Sequence, residues 1–227
     1  MKNKNILIVD DERKIVEVIE AYLEKENYNI LKAYNGNDAL KIFHKEDIDL
    51  ILLDLMLPDI KGEDICKEIR EESEVPIIML TAKVQEDDIL NGFSIGSDDY
   101  ITKPFSPRQL VARVNAVLKR SVKCKEEILS FNQGDLIIDT GNYEVVKGGE
   151  KINLTATEFK ILLILATNNK VFTRGELLDR SMGDDLEVYD RVIDSHIKNI
   201  RQKIEINSKK PSYIKTVHGI GYKFGGE

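Results

Sequence analysis

The chain has 227 residues, of which 42% are hydrophobic and 32% charged, and its formal net charge is −7. This length suits two domains, since one domain typically holds about 100–200 residues. No segment approaches the ~20 consecutive apolar residues that cross a bilayer, and carboxylates follow the first apolar run too soon for a secretion signal. We therefore expect a soluble, cytoplasmic protein without a membrane partner, whose two cysteines, Cys66 and Cys124, stay reduced and structural.

Acidic and basic residues are unevenly distributed along the chain. Residues 1–120 hold 17 Lys and Arg against 24 Asp and Glu, whereas residues 121–227 hold 16 of each. Within the second part, residues 191–223 carry eight basic side chains against two acidic ones. A basic stretch in an acidic protein indicates a nucleic-acid contact, although a solvated basic face produces the same count.

Strand-like and helix-like segments alternate through the first half of the chain. The spacing of apolar residues predicts strands at 5–9, 28–33, 50–55, 76–80 and 99–102, and helices at 12–26, 36–46, 63–72, 86–95 and 106–120. Five strand-helix units predict an α/β domain with a doubly wound, five-stranded parallel sheet between two layers of helices. The functional crevice of such a sheet lies at the carboxyl ends of its strands.

The pattern changes after a polar linker, which we place at 121–128. Turn-like sequences separate short predicted strands at 129–131, 136–139, 143–147 and 150–154, which indicates a small antiparallel sheet. Two pairs have the spacing of helix capping boxes, namely Thr155 with Glu158 and Thr173 with Glu176. A longer helix follows at about 189–205, and a hairpin is predicted at 212–224. The sequence thus predicts one domain at 1–120 and a second at 129–227.

Polar side chains stand at or just past the ends of four predicted strands. They are Asp10 and Asp11 after the first strand, Asp54 in "LILLDLMLP" at the end of the third, Thr81 after the fourth and Lys103 after the fifth. Three converging carboxylates repel one another unless a cation neutralises them, and oxygen ligands without histidine or cysteine favour Mg²⁺. Asp54 is suited to act as a nucleophile in phosphoryl transfer, with Lys103 and Thr81 stabilising the phosphoryl oxygens.

Four segments resemble the signature segments of bacterial response-regulator receiver domains, in order, over residues 4–120. They are "ILIVDDE", "LILLDLMLPDIKG", "PIIMLTAK" and "GSDDYITKPF". The resemblance implies a flavodoxin-like fold in which Asp54 accepts a phosphoryl group from the phosphohistidine of a sensor histidine kinase. It further implies that Asp11, Asp54 and the backbone carbonyl of Met56 bind Mg²⁺, while Asp10 acts through a water molecule.

The same resemblance implies a switch and a dimer. Thr81 and Tyr100 would form the switch pair, Lys103 would contact the phosphoryl group, and the Lys103-Pro104 peptide bond would be cis. Phosphorylated receivers pair through the last strand and its flanking helices, and the charged residues of that face are Asp98, Asp99, Arg113 and Arg120.

Two residues depart from the family pattern on the dimer face. Asp88 stands where most members carry Lys or Arg, and Gln109 replaces the usual partner glutamate. The double change removes an ion pair without opposing two like charges. We expect the dimer to persist with a weaker contact, because an exposed ion pair contributes only ~0–1 kcal/mol.

A class of phosphatase uses nearly the same groups. Haloacid-dehalogenase-type phosphatases need a second aspartate two residues after the nucleophile to protonate the leaving group. That position is Met56 in this chain, which cannot act as an acid. We therefore expect no turnover enzyme, and a phosphoryl group on Asp54 that persists until slow self-dephosphorylation removes it.

The predicted helix at 189–205 has two distinct faces. One face is apolar, with Ile193, Ile197, Ile200 and Ile204, and the opposite face presents Arg191, Ser195, Lys198 and Gln202, with Asn199 at its flank. Cationic and amide side chains opposite a packed face suit reading of the major groove, although an ordinary amphipathic helix has the same pattern. His196 lies near the inward side, which favours a core position.

The second half also resembles a known family, the winged-helix effector domain of OmpR/PhoB-type regulators, over about 129–225. The segments are "LTATEFKILLILATNN", "VFTRGELL", "DRVIDSHIKNIRQKI" and "IKTVHGIGYKF". The family inserts the last helix in the major groove and the wing hairpin in the adjacent minor groove. His218 stands where the family usually has arginine, so we expect the wing's contribution to grow below about pH 6.5, where histidine gains its charge.

The leading hypothesis is a transcription factor that phosphorylation at Asp54 switches on. Dimerisation would bring two effector domains to promoter half-sites about 10–11 bp apart, with RNA polymerase as a further partner. The main alternative is a constitutive DNA-binding protein whose receiver only dimerises. It predicts a damaged acidic site, and each of the five polar residues of that site is present.

Overall fold

The computed structural model describes residues 3–82, 95–118, 127–182 and 191–226. The chain divides into two compact units, Met1–Lys119 and Arg120–Glu227. Most of the predicted helix at 86–95 and of the linker at 121–128 lies outside the described residues, as do Asp88, Arg120 and Cys124.

The first unit is built on a five-stranded parallel sheet. Its strands are β1 (Asn5–Val9), β2 (Asn29–Ala33), β3 (Leu50–Asp54), β4 (Ile77–Thr81) and β5 (Asp99–Thr102), in the order β2-β1-β3-β4-β5. Its helices are α1 (Arg13–Glu24), α2 (Gly36–Lys45), α3 (Gly62–Glu72) and α4 (Pro107–Leu118). This arrangement confirms the predicted α/β fold and its parallel sheet.

The central strands form the core of the first unit. Every residue of β3 and β4 is buried, because a parallel sheet covered on both faces leaves no strand position in water. On one face, Ile8 and Leu52 of the sheet pack with Ile19 of α1 and Val114 of α4. Cys66 of α3 is buried as well, as predicted.

The second unit begins with a four-stranded antiparallel sheet and continues as helices with a hairpin. The first sheet consists of β6 (Ile128–Phe131), β7 (Leu136–Asp139), β8 (Glu144–Lys147) and β9 (Glu150–Ile152), in that order. The helices are α5 (Ala156–Ala166), α6 (Arg174–Met182) and α7 (Val192–Ile204). A second antiparallel sheet has the order β10 (Phe172–Thr173), β12 (Gly221–Phe224), β11 (Ile214–Val217). These elements make up the predicted winged helix with its N-terminal sheet.

Both predicted capping boxes are present at the starts of helices. The Glu158 carboxylate accepts a hydrogen bond from the Thr155 N–H at 3.1 Å, and Thr155 Oγ1 accepts one from the Glu158 N–H at 3.3 Å. Thr173 and Glu176 make the same reciprocal pair at 2.9 and 3.1 Å. Each box satisfies N–H groups that the first helical turn leaves without intrahelical partners.

Several predicted elements are a few residues too long. The strand predicted at 143–147 begins at Glu144, because Tyr143 has a φ of 56° and so cannot continue a strand. The helix predicted at about 189–205 begins at Val192. Within the described ranges, no helix is both long enough and apolar enough to span a membrane.

Candidate functional site

Three carboxylates meet at the carboxyl end of the parallel sheet. Asp10 and Asp11 follow β1, and Asp54 is the last residue of β3, so parallel pairing of these strands brings the side chains together. One carboxylate oxygen from each lies within 4.8 Å of the other two. Asp10 and Asp54 are buried, whereas Asp11 is exposed. Oxygen ligands at this spacing, two buried and one open to water, suit a hydrated Mg²⁺.

Lys103 completes the cluster from the residue after β5. Its Nζ lies 2.7 Å from Asp10 Oδ2 and 2.8 Å from Asp54 Oδ2, and 3.8 Å from Glu12 Oε1. The Lys103-Pro104 peptide bond is cis, as predicted. The ammonium group thus already lies between two carboxylates, where an anionic group on Asp54 would need a cation.

Burial and pairing act in opposite directions on the ionisation of this cluster. Burial raises the pKa of Asp10, and the hydrogen bonds from Lys103 and the Glu12 N–H offset only part of that effect. Burial lowers the pKa of Lys103, but its hydrogen bonds with Asp10 and Asp54 outweigh it and hold that pKa above its usual value. Lys103 therefore stays charged, while the charge on Asp10 remains costly.

The other predicted receiver residues lie on β4, on β5 and in the loop after Asp54. Thr81 is the buried last residue of β4, and its carbonyl accepts a hydrogen bond from the Lys103 N–H at 2.6 Å. Tyr100 lies in β5 with 4% of its surface exposed, so its ring already points inward. The Met56 N–H donates to Asp54 Oδ1 at 3.2 Å, while the Met56 side chain is 62% exposed. Met56 stands where haloacid-dehalogenase-type phosphatases carry their proton-donating aspartate, and its side chain thus faces solvent.

Two residues that the sequence did not single out hold the loop after Asp54. A Cβ on Gly62 would lie 2.3 Å from the Asp54 carbonyl oxygen, so only glycine fits there. The Asp59 carboxylate accepts hydrogen bonds from the N–H groups of Gly36 and Asn37 at 2.8 and 2.9 Å. Burial acts to raise the pKa of Asp59, but these N–H donors outweigh it and lower that pKa to about 2. Both residues lie within the segment "LILLDLMLPDIKG", but apolar periodicity assigns no role to a single glycine or aspartate in a loop.

The predicted dimer-face aspartates have partners inside the same chain. Asp98 pairs with Arg70, with NH2 to Oδ2 at 3.1 Å, and also accepts a hydrogen bond from the Ile77 N–H at 3.1 Å. Asp99 pairs with Arg113 at 3.0 Å. Both aspartates are at most 1% exposed, so in this conformation their charges serve the fold of one protomer.

Helix α7 has the two faces that its sequence predicted. Its isoleucines, Ile193, Ile197, Ile200 and Ile204, are all buried. Arg191, Lys198 and Gln202 are exposed, and Ser195 is half-buried. His196 is buried, which confirms its core position. Asn199 is only 8% exposed, because the flank of the helix turns inward there, and this burial argues against a direct contact with DNA.

Two basic residues of α7 are used within the domain. Arg201 donates to the Ile214 carbonyl at 2.6 and 3.0 Å and to Thr216 Oγ1 at 2.8 Å. Lys203 pairs with the buried Glu158 carboxylate at 2.9 Å. The charge count over 191–223 therefore overstates the cations available to a ligand. His218 is exposed in the turn between β11 and β12, where Gly219 has a φ of 76°.

Comparisons with known proteins match both halves of the chain. Residues 6–115 match the family "Response regulator receiver domain", and residues 149–224 match "Transcriptional regulatory protein, C terminal". The alkaline phosphatase synthesis transcriptional regulatory protein PhoP of Bacillus subtilis is 43% identical, over 97% of this chain and 96% of its own. The response regulator DrrB of Thermotoga maritima, an OmpR/PhoB homologue of known structure, is 38% identical. The chain belongs to the OmpR/PhoB family of response regulators.

Further relatives support the same placement. The regulatory protein VanR of Enterococcus faecium is 43% identical, over 96% of this chain and 97% of its own. DrrB aligns over 99% of this chain and 100% of its own, with a TM-score of 0.54. A solved structure of a RitR mutant is 29% identical and aligns over 98% of this chain and 99% of its own, with a TM-score of 0.77. As an OmpR/PhoB-type response regulator, the protein is a DNA-binding transcriptional regulator that phosphorylation activates, and its domains imply a histidine kinase and DNA as partners.

Proposed function

We propose that Asp54 is the phosphoacceptor of this response regulator. The observation that carries the proposal is the buried Asp54 carboxylate beside Asp10, Asp11 and the Lys103 ammonium. An Asp54 oxygen would attack the phosphorus of a kinase phosphohistidine, so that a P–O bond forms as the P–N bond breaks and the imidazole leaves. The carboxylate itself is the nucleophile in this step, as in enzymes that form an aspartyl phosphate.

The residues around Asp54 fit Mg²⁺ as the cofactor. Asp10, Asp11, Asp54 and the Met56 carbonyl would hold it, directly or through water, and the ion would neutralise charge on the phosphoryl oxygens. Burial disfavours the ionised form of Asp10 and raises its pKa. A bound cation would offset the free-energy cost of this buried charge. Lys103 would turn from the carboxylates to a phosphoryl oxygen, and Thr81 would donate its hydroxyl to another.

Met56 favours a switch over a turnover enzyme. The side chain two positions after the nucleophile points to solvent and carries no proton to give. We expect the phosphoryl group to leave Asp54 only by slow attack of water. Its lifetime would let the Thr81 and Tyr100 side chains report the modification to the rest of the chain.

An apolar groove beside Lys103 suits the partner kinase. The groove has a volume of about 550 Å³ and is lined by Ile15, Val18, Pro104 and Phe105, among other residues. Val18 is 45% exposed, so part of the apolar lining of this groove is open to a partner. A helix of the kinase seated there would place its phosphohistidine next to Asp54. Kinase and promoter DNA would both be met in the cytoplasm.

On DNA, α7 would enter the major groove with Arg191, Ser195, Lys198 and Gln202, and His218 would reach the minor groove from the wing. Phosphorylation would produce a homodimer on half-sites about 10–11 bp apart, in position to contact RNA polymerase. The predicted charged residues of the dimer face are Asp98, Asp99, Arg113 and Arg120. To join two protomers, Asp98 would have to leave Arg70, and Asp99 and Arg113 would have to leave each other, for partners across the interface.

The decisive experiment treats the protein with Mg²⁺ and acetyl phosphate and measures intact mass, oligomeric state and DNA binding. We expect one phosphoryl group per chain and a shift to dimers. Asp54→Asn removes both effects, whereas the matched control Asp64→Asn, at an exposed carboxylate of α3, retains them. An equal mass gain in Asp54→Asn would refute the assignment of Asp54.

A further inference from the structure

Three elements of the winged helix converge on one carboxylate. Asp194 lies in the first turn of α7, the proposed recognition helix. Its Oδ1 lies 2.7 Å from Arg174 Nε at the start of α6 and accepts a hydrogen bond from the Tyr222 hydroxyl at 2.5 Å. Tyr222 belongs to β12, the second strand of the wing hairpin. The recognition helix and the wing are therefore bonded to each other through Asp194.

The Tyr222 ring strengthens this connection. Two guanidinium groups lie near it, with Arg174 at 5.3 Å and Arg201 at 5.5 Å from its centroid, and Tyr222 is 5% exposed. Burial, and then the hydrogen bond to Asp194, raise the pKa of Tyr222 to about 12, so its hydroxyl remains a donor. Because Arg201 also donates to β11 at Ile214 and Thr216, α7 is bonded to both strands of the hairpin.

The ion pair between Asp194 and Arg174 contributes little to stability by itself, although a carboxylate in the first turn also suits the dipole of α7. The Arg174 and Asp194 side chains are 32% and 40% exposed, and exposed ion pairs add little to the stability of a fold. A carboxylate one residue from Ser195 and four from Lys198 would also repel DNA phosphates. The Arg174 guanidinium neutralises this carboxylate, and the hydrogen bond from Tyr222 to Asp194 then fixes the position of the wing relative to α7.

We propose that Asp194 and Tyr222 are positioning residues that hold the wing at a set angle to the recognition helix. Helix α7 and His218 at the wing turn can then reach neighbouring grooves of one duplex. Once α7 is bound, the wing is already held in place for its own contact, so less conformational freedom is lost on binding. The inference rests on the proposed DNA contacts of α7 and the wing.

The chain offers a matched control for Tyr222. Tyr213 is also buried, also donates a hydrogen bond to a carboxylate at 2.5 Å, to Asp135, and also has its pKa raised to about 12 by burial and then by that bond. Its ring likewise lies near a cation, with Lys147 at 5.8 Å. Tyr213 differs in its partner, because Asp135 belongs to the segment between β6 and β7 and not to α7.

The test uses the full chain after acetyl phosphate treatment and a duplex selected from a random library by the wild-type protein, at about pH 6, where histidine is ordinarily charged. We expect Tyr222→Phe to weaken binding about tenfold, the lower end of the loss typical of one hydrogen bond to a charged group, and Tyr213→Phe to change it less than about twofold. Asp194→Asn serves as a second variant, and thermal melts confirm that each protein is folded.

A double-mutant cycle with His218→Ala separates positioning from general destabilisation. If Tyr222 acts through the wing, its substitution should cost less than about twofold once the wing contact is already lost. Equal losses in both backgrounds, or equal losses for Tyr213→Phe and Tyr222→Phe, would overturn the positioning role. A His218→Ala protein that binds as tightly as wild type would instead show that the proposed wing contact is wrong.

Discussion

At the scale of single residues, one cation of the acidic site pairs with two buried carboxylates. Lys103 neutralises Asp10 and Asp54 at 2.7 and 2.8 Å before any phosphoryl group arrives. Its pairing does not fully offset the burial of Asp10, whose pKa stays raised. The site is thus short of positive charge, which explains why a divalent ion would bind there and why Lys103 would then be free to turn to a phosphoryl group.

The first prediction concerns Asp10. Because its pKa is raised in the folded state, its contribution to stability is present below the unfolded value of 3.8 and is lost as pH rises through the folded value. Ionised Asp10 is therefore a cost at pH 7. Asp10→Asn should raise the melting temperature without metal by roughly 1–4 °C and reduce the further rise that Mg²⁺ gives the wild type. Thermal melts with and without Mg²⁺ check this, and a lower melting temperature without metal would contradict it.

The residues of this site differ in how far the sequence predicted them. The sequence predicted Asp10 and Asp54 because each follows or ends a strongly apolar strand, and Lys103 because it follows the last strand of the alternating pattern. Parallel strands bring such ends together. Gly62 and Arg70 were not predicted. Gly62 matters through the Asp54 backbone, and Arg70 through the Gly96 carbonyl at 2.9 Å and Asp98, contacts that no local pattern records.

At the scale of elements, the loop between β3 and α3 is fixed at both ends. The Gly62 N–H donates to the Leu55 carbonyl at 3.1 Å, and Asp59 accepts hydrogen bonds from the first N–H groups of α2. A loop that begins after Asp54 is thereby held to two helices. Helix and strand bounds were predicted to within a few residues because apolar periodicity defines them, whereas loop contacts depend on the completed fold.

Gly62→Ala tests the fit of α3 against Asp54. A methyl group 2.3 Å from the Asp54 carbonyl oxygen must displace either the helix or the strand end. We expect a loss of about 1–3 kcal/mol in the free energy of unfolding, typical of overpacking, together with slower phosphorylation by acetyl phosphate. Urea unfolding and phosphorylation rates measure the two effects. Glu68→Ala, at an exposed position of α3, should leave both unchanged.

Asp59 predicts a specific acid sensitivity. Its pKa is about 2 in the folded chain against 3.8 ordinarily, so its stabilising effect is present above pH 3.8 and is lost as pH falls towards 2. Asp59→Asn should lower stability at neutral pH by less than about 1 kcal/mol, because the side chain is exposed and screened. The difference from wild type should vanish near pH 2. A difference that persists unchanged at that pH would contradict the assignment.

At the scale of the whole molecule, a net charge of −7 has to be reconciled with DNA binding. Of the eight basic side chains at 191–223, Arg201 and Lys203 are engaged inside the domain, and the other six are exposed. These exposed cations attract DNA phosphates, while the excess of acidic residues at 1–120 repels them. We expect that pairing two effector domains on one site doubles the number of phosphates neutralised and so strengthens binding.

The salt dependence of DNA binding tests this conclusion. The slope of log affinity against log salt concentration counts the phosphates neutralised, at about 0.9 per contact. Two effector domains on one duplex make twice the contacts of one, so phosphorylation should roughly double the slope on a duplex with two half-sites and leave it unchanged on a single half-site. Titrations from low to moderate salt measure it, with Asp54→Asn as the control that stays at the lower slope. Equal slopes before and after phosphorylation on the double site would show that activation proceeds by a route other than pairing, such as release of a single effector domain.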